Sequence, residues 1–112
     1  MLMRRGDIVY IQNESYKHTG CEQTISRPAV IVSNDKCNIY SPVIEVVFLT
    51  ANIYKKKLPT HVVIYSSERT SIALCEAVYS VDKSRIKAHI GKLSDYEMRK
   101  IDRALKISLG LN

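Results

Sequence analysis

The chain has 112 residues, 46% hydrophobic and 25% charged, which suits one compact domain and excludes a disordered or fibrous chain. Lys and Arg number 17 against 11 Asp and Glu, a net charge of +6. That balance favours an anionic partner, whether nucleic acid, an acidic protein or an anionic membrane surface, without choosing among them. Cys21, Cys37 and Cys75 are widely spaced, with no CxxC and no Cys/His pair at zinc spacing. A structural metal site is therefore not expected, and a reducing cytoplasm is. "MLMRRGD" turns polar after three residues, and "PVIEVVFL" is broken by Glu45. Neither a secretory segment nor a membrane span is expected, so the reading is a soluble cytoplasmic protein.

In chain order, "DIVYIQ" (7–12) is read as a first strand, rich in β-branched and aromatic residues. The polar segment 13–26, "NESYKHTGCEQTIS", lacks either periodicity and is read as a long loop of the kind that often carries function. "PAVIVS" (28–33) is a second strand, with Pro28 at its start, where a missing ladder donor is tolerated. A turn near "NDKCNIYSP" leads to "VIEVVFLT" (43–50), then "HVVIYS" (61–66) and "IALCEAVYSV" (72–81), about five strands in all. "VDKSRIKAH" (81–89) is read as holding a short helical turn. The period then changes. Met98, Ile101, Leu105 and Leu109 recur at spacings of three and four, one face of a helix. Ser94 and Glu97 make a capping-box pattern at its start, and Gly110 suits the left-handed position past its end. Strands first and a helix last predict an α+β fold with a mainly antiparallel sheet curled into a partial barrel. No repeat, low-complexity tract or Pro/Gly linker divides it, so residues 1–112 are read as a single domain.

The usual catalytic signatures are absent. His18, His61 and His89 show no HExxH spacing, and there is no GxxxxGK[ST], GxGxxG or GxSxG. Asp95 and Glu97 fit the favourable field of a helix N-terminus better than an acid/base pair. What remains is a strand-entry arginine and a strand-end hydroxyl. Pro28 biases Arg27 toward extended geometry, which limits how its guanidinium can point. A guanidinium is always charged, and its planar fork of donors matches two phosphate oxygens. Thr50 ends "VIEVVFLT", where a hydroxyl can face a cleft at the sheet edge. Taken alone, such an arginine is most often a solvated surface charge and such a threonine usually a turn residue.

The ordered set "RRGDIVY", "CEQTISRPAVIVSND", "SPVIEVVFLTA", "KLPTHVVI", "ALCEAVYSVDKSRI" and "KLSDYEMRKIDRALKISLGL" resembles the MazF/PemK family of toxin endoribonucleases and spans nearly the whole chain. The resemblance implies a small SH3-like, partly open β-barrel with helices, working as a homodimer. It implies metal-independent, cofactor-free cleavage of single-stranded RNA, often mRNA, at short sequence motifs. The ribose 2′-OH would attack the adjacent phosphorus, leaving a 2′,3′-cyclic phosphate and a 5′-OH. Arg27 and Thr50 fall where the family keeps its catalytic arginine and threonine, and Glu22 is the candidate general base. Gln23, Asn34, Lys55, Lys56 and Glu76 are the candidate substrate contacts; His61 in "PTHV" also matches, with a structural role expected. Ala77 stands where many relatives have a polar residue, and "TISRP" lacks a glycine frequent before the arginine, so the RNA motif is not implied. The expected partner is a cognate antitoxin with an acidic, disordered segment folding over the basic cleft. The CcdB toxins share the architecture and poison DNA gyrase by contact, so a gyrase-binding toxin without nuclease activity is the alternative reading.

Overall fold

The computed structural model describes residues 2–12, 16–18, 21–23, 26–54 and 57–112; for 16–18 and 21–23 it describes the backbone alone. The main sheet contains β1 (Asp7–Gln12), β4 (Ser26–Ile31), β5 (Val43–Thr50), β6 (His61–Ile64), β7 (Ser71–Leu74), β8 (Tyr79–Asp82) and β9 (Ile86–Lys92). Its order is β6-β7-β5-β4-β1-β9, with β8 also paired to β5, and every pairing is antiparallel. β2 (Tyr16–His18) and β3 (Cys21–Gln23) form a separate hairpin inside the segment expected to be a loop. α1 spans Asp35–Tyr40 and α2 spans Asp95–Leu109.

Strand alternation sorts the apolar residues onto two faces. Ile8, Val30, Val47, Leu49, Val62, Ile64 and Ala73 pack on one face against Ile101, Ala104 and Leu105 of α2. Val9, Ile11, Ala29, Ile31, Ile44, Val46, Phe48 and Val81 form a second cluster on the other face. The central strands bury both faces, which is why "VIEVVFLT" reads as a nearly continuous apolar run. β8 and β9 are joined by a 3₁₀ turn at Lys83–Arg85, and two register shifts bend the β1–β9 ladder. The sheet is thus curled around the second cluster but not closed, since β8 and β9 form no ladder with each other.

α2 follows its sequence signals. Ser94 Oγ accepts from Glu97 N, the Glu97 carboxylate accepts from Ser94 N, and Gly110 closes the helix at φ 70°. The N-terminal "RRGD" is a staple: Gly6 takes φ 92°, and its N–H donates to Ile31 O at 2.8 Å. Arg5 donates through Nε to Val32 O at 2.8 Å and pairs with Asp102 of α2 at 2.7 Å. These residues tie β1 to the end of β4 and to the helix.

Besides the β2–β3 hairpin, three expectations need correction. The segment 72–81 is two strands, β7 and β8, separated by a turn at Cys75-Glu76, so the main sheet has seven strands rather than about five. The short helical turn expected within 81–89 is present as the 3₁₀ turn Lys83–Arg85, but β9 follows it immediately; Ile86, Ala88 and Ile90 carry the alternation that marks it. The expected turn after the second strand is α1, too short at six residues for a helical period to register.

Candidate active site

β4 enters the sheet at Ser26, and Pro28 divides its pairing. With β1 the ladder runs from Ser26 to Val30, whereas with β5 it begins only at Ala29. A proline has no N–H to give to a second neighbour, so the β4–β5 ladder stops beside it. Ala29 pairs with Phe48; continued outward in the same register, Arg27 stands opposite Thr50, on the face of the second core cluster. The proline therefore leaves the two strands unladdered at these two positions.

The geometry of Arg27 is set by an aromatic floor. Its Cζ lies 4.4 Å from the centroid of the Phe48 ring, within cation–π range. Phe48 is buried, and its ring meets Tyr79 edge to face, with centroids 5.2 Å apart and planes at 65°. Tyr79 pairs with Val46 across the β5–β8 ladder and so shares that face. Among the described residues Arg27 has no carboxylate partner. A guanidinium over an aromatic ring, with no carboxylate partner among the described residues, has N–H donors to offer an oxyanion. Thr50 is half-buried at the end of β5, and its Oγ1 accepts from Asn52 N at 3.2 Å. That turn leaves the hydroxyl proton for a further acceptor. Arg85 brings another cation to this end, its Nε donating to Gln12 O at 2.7 Å, and Gln12 pairs with Ser26.

The remaining candidates separate into groups. Glu22 and Gln23 lie in β3, whose side chains are outside the described residues, as are Lys55 and Lys56 altogether. Asn34 is the N-cap of α1, its Oδ1 accepting from Cys37 N at 2.9 Å. It follows the far end of β4 from Arg27, and at about 3.3 Å per residue the strand alone separates them by about 13 Å. Within one chain these two are not brought together. Glu76 accepts from Thr60 Oγ1 at 3.2 Å and lies 3.0 Å from His61 Nε2. Burial pushes its carboxyl up, but the hydrogen bond from His61, the imidazole charge and the Thr60 hydroxyl outweigh this and hold it below the usual range. His61 has a side chain only 4% exposed, in keeping with the structural role expected of it.

Burial and the neighbouring Glu76 charge push the Cys75 thiol up to about 12, so it is no nucleophile at neutral pH. Cys37 and Cys75 are both free. Reading by sequence missed the aromatic pair. Phe48 lies two residues before Thr50 and therefore on its face, the signal that could have found it, but Tyr79 is joined to it only by the β5–β8 ladder.

Comparison with known proteins supplies the family. Residues 4–109 match the model described as PemK-like, MazF-like toxin of type II toxin–antitoxin system. The chain is 43% identical to the endoribonuclease MazF of Staphylococcus saprophyticus, covering 99% of this chain and 94% of that protein. Among solved structures, an endoribonuclease from a mycobacterial species superposes with a TM-score of 0.79 at 25% identity, over 99% of this chain and 94% of that one. A chain of a MazE–MazF crystal structure from Deinococcus radiodurans gives a TM-score of 0.82 at 19% identity, covering 100% of this chain and 99% of that one, and shows the shared fold. The chain belongs to the PemK/MazF family of toxins of type II toxin–antitoxin systems.

Proposed function

We propose that this protein is the endoribonuclease toxin of a toxin–antitoxin pair, and that it cleaves single-stranded RNA without a metal at Arg27 and Thr50. The observation that carries the reading is the Arg27 guanidinium set on the Phe48 ring, in a strand whose register with β5, continued past the last ladder pair, leads to Thr50. The nucleophile belongs to the substrate: the ribose 2′-OH attacks the adjacent phosphorus, the bond to the 5′-oxygen breaks, and a 2′,3′-cyclic phosphate and a 5′-OH result. The protein's work is to align the 2′-OH in line with the leaving oxygen and to stabilise charge on the phosphorane-like transition state. Arg27 supplies charge and two N–H donors to the non-bridging oxygens, and Thr50 donates one more hydrogen bond. Glu22 is the base that takes the 2′-OH proton. Gln23, Lys55 and Lys56 serve as substrate contacts. Asn34 and Glu76 are tied within the fold through Cys37, His61 and Thr60, so their contact with RNA uses only the atoms left over.

The 43% identical relative is named an endoribonuclease, which supports the activity class. A mycobacterial endoribonuclease of the same fold has been solved with its cognate antitoxin, supporting an antitoxin partner; the net charge of +6 suits an acidic one. A homodimer is supported by apolar surface at the end of α2. Leu109 and Leu111 are exposed and line a groove of about 430 Å³ with Val32 and Val78. The reaction is tested by incubating a long single-stranded RNA with the protein in EDTA and identifying the ends. Fragments carrying 5′-OH and 2′,3′-cyclic phosphate ends are expected. Uncut RNA, or growth arrest through gyrase with mRNA intact, refutes it.

A further inference from the structure

Tyr79 has no role in the scheme above, yet its ring belongs to the same constellation. It is half-exposed, on the same face as Phe48, and fixed by the edge-to-face contact at 5.2 Å. The Arg27 guanidinium lies on the other side of this chain of contacts, 4.4 Å from the Phe48 centroid. The phenol ring is thus no farther from the guanidinium than the sum of those two distances, within reach of a nucleotide whose phosphate Arg27 holds. The β8 backbone is anchored directly after it. Val81 is buried in the core cluster, and Ser80 Oγ donates to the Glu45 carboxylate at 2.8 Å. An aromatic ring held by its neighbours yet open to solvent is preorganised for stacking, because little freedom is lost when a base covers it.

We propose that Tyr79 is the stacking platform for a nucleobase adjacent to the scissile phosphate, a substrate-binding residue that sets affinity and register rather than the chemical step. The proposal rests on the RNA-cleaving reading of Arg27 and Thr50. Single-stranded RNA offers unstacked bases to such rings, and stacking tolerates any base because each has a π-face. Loss of one stacked base corresponds to about a tenfold to hundredfold rise in KM.

The test compares Tyr79→Phe and Tyr79→Leu with the wild type, using an RNA oligonucleotide that carries the cut site. A second, uncleavable oligonucleotide has a 2′-deoxyribose at the cut and 2-aminopurine beside it. Tyr79→Leu keeps apolar cover over Phe48, and its folding is checked by thermal melting. Expected results are near wild-type constants for Tyr79→Phe, and for Tyr79→Leu a raised KM with little change in kcat and lost quenching of 2-aminopurine. An unchanged KM, or a fall in kcat alone, overturns the proposal; the latter would make Tyr79 a brace for Phe48 and Arg27. Should Tyr79→Leu fail to fold, wild type and Tyr79→Phe decide: no quenching with either overturns it. Absence of cleavage by the wild type would instead refute the underlying reading.

Discussion

Glu97 is buried at the N-terminus of α2, 4% exposed, and its carboxylate is enclosed by donors. It accepts from Tyr65 N at 2.7 Å, Ser66 N at 3.3 Å, the Ser66 hydroxyl, and Ser94 N and Oγ at 3.0 Å each. One side chain thus joins the helix start to the end of β6, fixing α2 on the sheet that carries the candidate site. Burial by itself raises the carboxyl pKa, but the bonds from Ser66, Ser94 and Tyr65 outweigh it and bring the group from 4.5 to about 2. At about 1.36 kcal/mol per unit, that shift corresponds to about 3 kcal/mol of stability at neutral pH. The folded-state value lies below the unfolded one. The stabilisation is therefore complete above the unfolded pKa and drains away as pH falls toward 2. Urea unfolding of wild type and Glu97→Gln should differ by about 3 kcal/mol at pH 7, and the pH-dependent part should shrink to about half by pH 3. A gap of equal size at both pH values would refute the electrostatic account of this clamp.

Phe48→Leu keeps the core apolar but removes the ring beneath Arg27; the cation–π contact is worth about 0.5–2 kcal/mol, so kcat should fall by about 2- to 30-fold in steady-state RNA cleavage. Gly110→Ala meets no atom within 4 Å, so its cost is that of φ 70° alone. About 1 kcal/mol is expected, seen as a melting temperature lower by about 4 °C. Glu76→Gln removes the charge facing His61 and is expected to lower stability by about 1 kcal/mol in urea while leaving RNA cleavable. Complete loss of cleavage in a folded Glu76→Gln would move Glu76 into the catalytic machinery.

Much of this was legible in the residues. β1 and β5 fall on the bounds read from their β-branched runs, and α2 keeps its capping box and glycine stop, because these signals are local. β8 was obscured because Cys75-Glu76 interrupts an apolar run without a glycine or proline, and β9 because it begins directly after the 3₁₀ turn with no glycine or proline between them. The candidate site divides the same way. Arg27 was marked by Pro28 beside it, a neighbour in sequence. Its opposition to Thr50 and its seat on Phe48 depend on β4 pairing with β5, a long-range register that no local pattern encodes. Asn34 is a candidate through the family resemblance alone, and its position after a strand is also where a helix N-cap belongs.

The most direct test is a double-mutant cycle in single-turnover RNA cleavage with Arg27→Ala, Thr50→Val and the pair. Two groups serving one phosphorane should be strongly non-additive: Arg27→Ala alone costing about 10²–10³-fold in rate, and Thr50→Val adding little once Arg27 is gone. Independent, multiplying effects, or an Arg27→Ala protein that cuts as fast as the wild type, would contradict the account.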